Sequence, residues 1–193
     1  MATVFTHAFV GAAIGTAYAC GGKPKEPSER LQVRFWLLCA LVAALPDIDA
    51  IGFHCGVAYG SMFGHRGFTH SLLFALLLAA MAAPAACRSR ADFARRWQSL
   101  IPLFFLAAAS HALLDAATNG GFGVAFFAPL ENSRYFLRWR PIEAAHLGIV
   151  AFLSEDGSYV LGGEFMHVWM PTAILTTFIL TVKSMVASTF LGD

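Results

Sequence analysis

Charge is what this sequence has least of. Only 13% of its 193 residues are Asp, Glu, Lys or Arg, against roughly 25% in ordinary soluble domains. Hydrophobic residues make up 58% of the chain, and the mean hydropathy is +0.63. A single globule of this size cannot hide that much apolar surface from water, so a membrane protein is expected. The formal net charge is +1, which leaves no electrostatic basis for binding nucleic acid or another polyanion. The four cysteines, Cys20, Cys39, Cys55 and Cys87, contain no Cys-x-x-Cys pair and no disulfide-like spacing. They read as apolar filler. No basic segment precedes the first apolar stretch, so a retained helix is expected there rather than a cleaved signal. Internal repeats and low-complexity tracts are absent as well.

Long uncharged runs take their place: Met1–Gly22, Phe35–Pro46, Gly67–Cys87, Trp97–Leu114 and Phe165–Val182. The first and third reach the roughly 20 residues that span a bilayer. The fourth and fifth are marginal, and the second is short. Lipid-facing backbone must satisfy itself, and Ala and Leu dominate the runs, so helices are expected. The reading is an all-α, integral-membrane bundle of about five helices in a single domain, 1–193. Gly11 and Gly15, four apart on the first helix, offer a face for close helix approach.

Two basic loops separate the helices. Gly21–Arg34 carries Lys23, Lys25, Arg30 and Arg34, and Arg88–Arg96 carries Arg88, Arg90, Arg95 and Arg96. With alternating helices both fall on one side, opposite Arg66, Arg134, Arg138 and Arg140. The imbalance predicts cytoplasmic basic loops, with the opposite end periplasmic or extracellular. The long connection 119–164 is expected to fold over that end as a partly irregular cap. Within it, Phe122–Phe127 is expected at the interface and Glu143–Phe152 as a short helix.

The polar residues converge in this sketch. His7 begins helix one, Asp47 and Asp49 end helix two, His65 and His70 begin helix three, and His111 and Asp115 lie in the last turns of helix four. Antiparallel neighbours bring all seven to the same end. His111 and Asp115, four apart, share one helix face. His65 and His70, five apart, do not, so His65 belongs to the approach loop, with Gly64 and Gly67 permitting the bend. Mixed imidazole and carboxylate donors suit Zn²⁺, with Mn²⁺ or Fe²⁺ as alternatives. One or two such ions would activate water for hydrolysis. His7, Asp47, Asp49, His65, His70, His111 and Asp115 are the expected ligands. Asp49, Arg66 and His70 are the candidates for direct catalytic roles, Asp49 as a base and Arg66 on an anionic substrate oxygen. Arg134, Tyr135, Arg138 and Arg140 either extend that anion-binding surface or attract lipid headgroups. Glu143 and His146 share a face if helical. His54 and His167 read as boundary residues.

Three motifs carry a resemblance. Leu45-Pro46-Asp47-Ile48-Asp49, then His65-Arg66-Gly67-Phe68-Thr69-His70-Ser71, then His111-Ala112-Leu113-Leu114-Asp115 with Thr118 resemble the bacterial membrane-bound, metal-dependent hydrolases described as LexA-binding and inner-membrane-associated. Thr6-His7 and the stretch Phe127-Ala128-Pro129-Leu130 with Arg134-Tyr135-Phe136 are similar too, so the likeness covers about residues 3–145. That family is distantly similar to zinc-dependent phospholipase C and P1-type nucleases, all-α enzymes with clustered zinc. The resemblance implies a hydrolase of a phosphoester or lipid. No His-x-x-x-Glu follows late in this chain, since Glu143 precedes His146, so a three-metal cluster is not implied. The alternative function is a membrane binding or regulatory protein with a structural metal site. A transporter would place its polar residues at mid-helix, not at helix ends.

Overall fold

The computed structural model describes residues 1–19, 29–145 and 155–191. Helix α1 is Val4–Ala19 and α2 is Glu29–Ala44, which continues through a 3-10 turn, Leu45–Asp49, into the short α3, Ala50–His54. A second 3-10 turn, Phe68–His70, leads into α4, Leu72–Ala85. Helix α5 is Arg90–Ala116. The last long helix runs as α6, Glu155–Glu164, a π-helical stretch Phe165–Trp169, and α7, Met170–Leu191. The chain is all-α as expected. Among the described residues β-pairing is confined to two isolated bridges, Thr118 with Ile142 and Val124 with Tyr135.

The spans differ from the sequence expectation. Among the described residues, three stretches are long and apolar enough to cross a membrane: Val33–Gly52, Arg90–Ala116 and Gly157–Thr189. The run that looked shortest extends because Pro46 and Asp47 redirect the helix into a 3-10 turn without ending it. Proline is tolerated there because the first turn of a helical segment has no partner for its missing N–H. The first and third runs give helices of 16 and 14 residues, α1 and α4. At about 1.5 Å per residue these fall short of the ~30 Å hydrocarbon core.

Close packing follows from small side chains. A Cβ on Gly11 would lie 2.5 Å from the Cys39 carbonyl oxygen and 2.6 Å from Ala43 Cβ, and one on Gly15 would lie 2.9 Å from Cys39 Sγ. Gly11 and Gly15 thus seat α1 on α2, the role their spacing forecast. Cys39 is buried there as filler, whereas Cys55 is exposed, and Cys20 lies outside the described residues. Alanines of α4 and α5, with Leu100 and Phe104, complete the core. The Tyr18 hydroxyl meets Ser99 Oγ at 2.8 Å, which sets the end of α1 beside the start of α5. Lys183 Nζ donates to the Ala17 carbonyl at 2.5 Å, anchoring α7 at that same end.

The opposite end carries the loops. The cap expected over 119–164 is irregular from Asn119 to Ala145, but Glu155–Glu164 is helix and belongs to the last long element. The short helix expected at Glu143–Phe152 does not begin at 143–145, which are non-helical, and the rest of that stretch, with His146, lies outside the described residues. Backbone bonds tie the cap to the bundle: Leu137 N donates to Ala116 O, Ala125 N to Arg66 O, and Leu72 N to Phe126 O.

Candidate metal centre

Each polar residue reaches the site for a local reason. His111 and Asp115 project from one face of α5 and are fully buried. Asp47 and Asp49 come from the 3-10 turn after α2, and His7 from the second turn of α1. Ser71 caps α4, accepting from Phe74 N at 3.1 Å, so the helix begins at Leu72 and leaves His70 in the turn before it. The approach loop folds tightly: a Cβ on Gly64 would strike the Ala58 and Tyr59 carbonyls, and one on Gly67 the Met62 carbonyl. The left-handed residue of the bend is Arg66, at φ 63°, and not either glycine. That conformation costs about 1–2 kcal/mol for a side-chain-bearing residue, so the contacts of Arg66 must hold it.

They do so from a fully buried position. Arg66 Nε lies 3.0 Å from Asp115 Oδ2, Nη1 donates to Gly120 O at 2.9 Å, and Nη2 donates to Thr118 Oγ1 at 2.8 Å. The guanidinium is therefore committed to the protein and not presented to a substrate anion, which corrects the expected role. Arg134 is likewise committed, donating to the carbonyls of His65, Tyr59 and Ser61 at 2.9–3.0 Å. It straps the approach loop instead of widening an anion surface. Tyr59 packs edge-on against the His65 ring, and burial holds its phenol above the ordinary value.

Asp49 is the organiser of the histidines. Its Oδ1 accepts from His65 Nδ1 at 2.6 Å. Its Oδ2 faces His70 Nδ1 at 3.1 Å, Thr69 Oγ1 at 2.5 Å and Arg66 N at 3.2 Å. A carboxylate can only accept, so both imidazoles carry a proton on Nδ1, and in the neutral ring Nε2 is then the lone pair turned outward. His111 is set in the same way, by the Ala43 carbonyl 2.8 Å from its Nδ1. This is the arrangement of ligating histidines, whose second nitrogen is held by a carboxylate or carbonyl.

The consequence is electrostatic. His70 Nε2 and His111 Nε2 face each other at 2.9 Å. Asp47 Oδ1 stands 3.4 Å from His111 Nε2 and 3.7 Å from His70 Nε2, and Asp115 Oδ2 is 3.4 Å from His70 Nε2. Two imidazole nitrogens and two carboxylates surround one point, and the 2.9 Å contact between the nitrogens is held either by a shared proton or by a cation. Donors about 2.0–2.1 Å from a tetrahedral zinc are about 3.3–3.4 Å apart, and these separations straddle that value. Both His7 nitrogens, both Asp47 oxygens and His65 Nε2 are buried without a hydrogen-bond partner. Leaving such groups unsatisfied costs about 1–3 kcal/mol each, so the cluster fits a cation. His7 stacks on His111 at 3.6 Å, and its Nε2 lies 3.6 Å from Asp115 Oδ1.

Among the described residues, two ligand groups are close enough to hold an ion: Asp47, His70, His111 and Asp115, and Asp47, Asp49, His65 and His70. In the first, both Asp47 oxygens are free, while Asp115 is already engaged by Ala2 N at Oδ1 and by Arg66 Nε at Oδ2. In the second both Asp49 oxygens already accept hydrogen bonds, so Asp49 fits the supporting shell better than the ligand or base role expected of it. All seven expected residues thus meet at one end, with His7 and His65 at the edges. Sequence reading overlooked Glu164, which is fully buried and accepts from Thr3 N, Thr3 Oγ1 and Thr6 Oγ1 at 2.5–2.7 Å. It clamps the start of α1, one turn from His7. Its signal was present: a lone carboxylate directly ahead of an apolar run is costly in a membrane unless it is used. His167 Nδ1 instead donates locally to the Gly163 carbonyl, 2.9 Å away, and the residue is exposed. The side chain of His54 lies outside the described residues.

Comparison with known proteins places the chain in a family. Inner membrane protein YbcI of Escherichia coli (strain K12) is 38% identical over 176 residues, covering 91% of this chain and 95% of the relative. No solved structure matches the chain. The family model described as YdjM inner membrane protein matches residues 1–190, and the chain belongs to that inner-membrane family.

Proposed function

We propose that the protein is a membrane-embedded, metal-dependent hydrolase of a phosphoester or lipid, with its site on the periplasmic side. The carrying observation is the pair of imidazole nitrogens, His70 Nε2 and His111 Nε2, facing each other at 2.9 Å between the Asp47 and Asp115 carboxylates. Asp47, His70, His111 and Asp115 would hold the ion, with zinc the first choice for this donor set. A divalent ion there supplies Lewis-acid polarisation and makes water acidic enough to ionise near neutral pH.

The chain's own residues supply the rest. Asp49 fixes the tautomers of His65 and His70. Arg66 orients Asp115 and offsets its charge. His65 Nε2, unpartnered and backed by Asp49, is the nitrogen best placed to accept a proton as a water oxygen bonds to phosphorus or an acyl carbon. The Asp47 side chain, 9% exposed against 0–3% for His70, His111, Asp115 and Asp49, lies nearest the surface, with both of its oxygens buried.

A second reading has its own support. Four donors from buried side chains also suit a closed, structural zinc site, and the protein would then be a membrane binding or regulatory module. Metal analysis of detergent-purified protein tests both readings. Stoichiometric transition metal, lost in the double variant His70→Ala, Asp115→Ala, is expected. Cobalt substitution then separates them: a spectrum that changes with added phosphate means an open position, and an inert tetrahedral spectrum means a structural site. Purified protein that never retains metal overturns both.

A further inference from the structure

The position of the site along α5 sets its depth. Arg95, Arg96 and Trp97 mark one membrane boundary, as basic and aromatic residues do at interfaces. From Arg96 the helix rises about 22 Å to His111 and about 28 Å to Asp115. In a hydrocarbon core about 30 Å thick, the metal ligands lie just beneath the opposite boundary. The cap starts at Ala117, directly beyond, and so occupies headgroup level.

The outer surface of that cap is not built for water. Leu130 is 95% exposed, Trp139 72% and Phe63 67%. They come from two separate segments, the approach loop and the cap, which Arg134 straps together. Arg138 and Arg140 are exposed among them, and neither pairs with a carboxylate among the described residues. Arg140 lies over the Phe136 ring at 4.7 Å. Apolar anchors beside long cations match the edge of a bilayer, where stems lie in the acyl region and charges meet phosphates.

The surroundings of Asp47 point the same way. Ile48, between the two site carboxylates, is 53% exposed, and Ile51 63%. They continue the exposed apolar side chains Leu37 and Leu41 of the α2 span, which must face acyl chains. Asp47 is thus flanked by a lipid-facing surface.

We infer that the rim formed by Phe63, Leu130, Trp139, Arg138 and Arg140 is seated in the phospholipid headgroup layer, so that the site opens sideways to the bilayer and takes an acyl-chain-bearing phospholipid and not a water-soluble ester. The seating stands on geometry alone; the substrate clause rests on the hydrolase reading. The test is photocrosslinking in the bacterial inner membrane with p-benzoylphenylalanine at position 130 or, separately, 139. Ultraviolet irradiation is expected to add the mass of a membrane phospholipid at both positions. Adducts to a protein, or no adduct at either, overturn the seating, the first by making the rim a protein-docking surface. For the substrate clause, metal-loaded protein in nanodiscs is given phosphatidylglycerol and, separately, its deacylated water-soluble counterpart. At least tenfold faster cleavage of the lipid is expected. Equal rates overturn the lateral route and leave the hydrolase reading intact. Cleavage of neither defeats that reading and the substrate clause with it, while the adducts still decide the seating.

Discussion

Replacing Asp49 separates a supporting residue from a ligand. Its two oxygens serve four donors: His65 Nδ1, His70 Nδ1, Thr69 Oγ1 and Arg66 N, at 2.5–3.2 Å. In Asp49→Asn the amide oxygen will settle at the Oδ2 position, where three of the four converge. The amide NH₂ then confronts His65 Nδ1, which must move its proton to Nε2. His70 keeps its orientation and its free Nε2. Loss of a supporting partner costs roughly 10–100-fold in metal affinity, and Asn should sit at the weak end, about 10-fold or ~1.4 kcal/mol. Asp49→Ala removes every acceptor and should reach about 100-fold. Both should keep the full metal stoichiometry at saturating zinc, whereas Asp47→Ala and His111→Ala should not. Competition against a fluorescent zinc indicator in detergent measures affinity and stoichiometry together. Unchanged affinity in Asp49→Ala would refute the orienting role, and a lost equivalent of metal would make Asp49 a ligand.

Other variants probe the frame. Arg66→Met leaves Asp115 buried without its cation, and breaking one side of a buried pair costs about 3–5 kcal/mol, so a large drop in thermal unfolding temperature in detergent is expected; a near-native melt would show that Asp115 is neutralised otherwise. Gly11→Leu pushes a side chain into the Cys39 carbonyl and Ala43, and overpacking of this kind costs about 1–3 kcal/mol. Because Ala43 also orients His111, zinc affinity should fall together with stability. Glu164→Ala removes the acceptor of Thr3 and Thr6 and should loosen the start of α1, read as faster amide exchange across residues 3–7; unchanged exchange would dissociate Glu164 from α1. A reporter fused after Asp193 should read cytoplasmic, since Lys183 holds the last helix against the Ala17 carbonyl, at the end of α1 that leads into the first basic loop; a periplasmic signal reverses the orientation.

The all-helical class and the meeting of seven polar residues were legible without coordinates. Low charge forces a membrane, a membrane forces helices, and alternating helices carry His7, Asp47, His70 and Asp115 to one end whatever their packing. Span lengths were less legible. A run of uncharged letters does not say where backbone bonding stops, and the helix passes through Pro46 in a 3-10 turn while α4 starts only at Leu72, after the Ser71 cap. Residue roles were the least legible. Asp47 and Asp49 differ by two positions and not at all in chemistry, yet one keeps free oxygens and the other spends both on histidines. Arg66 reads as an anion binder in any linear view, but its guanidinium closes on Thr118 and Gly120, more than fifty residues away. Composition and order determine which groups must gather, because burying them singly in lipid is too costly. Only the tertiary structure decides which nitrogen keeps its proton and which lone pair is left for a cation, because that choice depends on acceptors contributed by other helices.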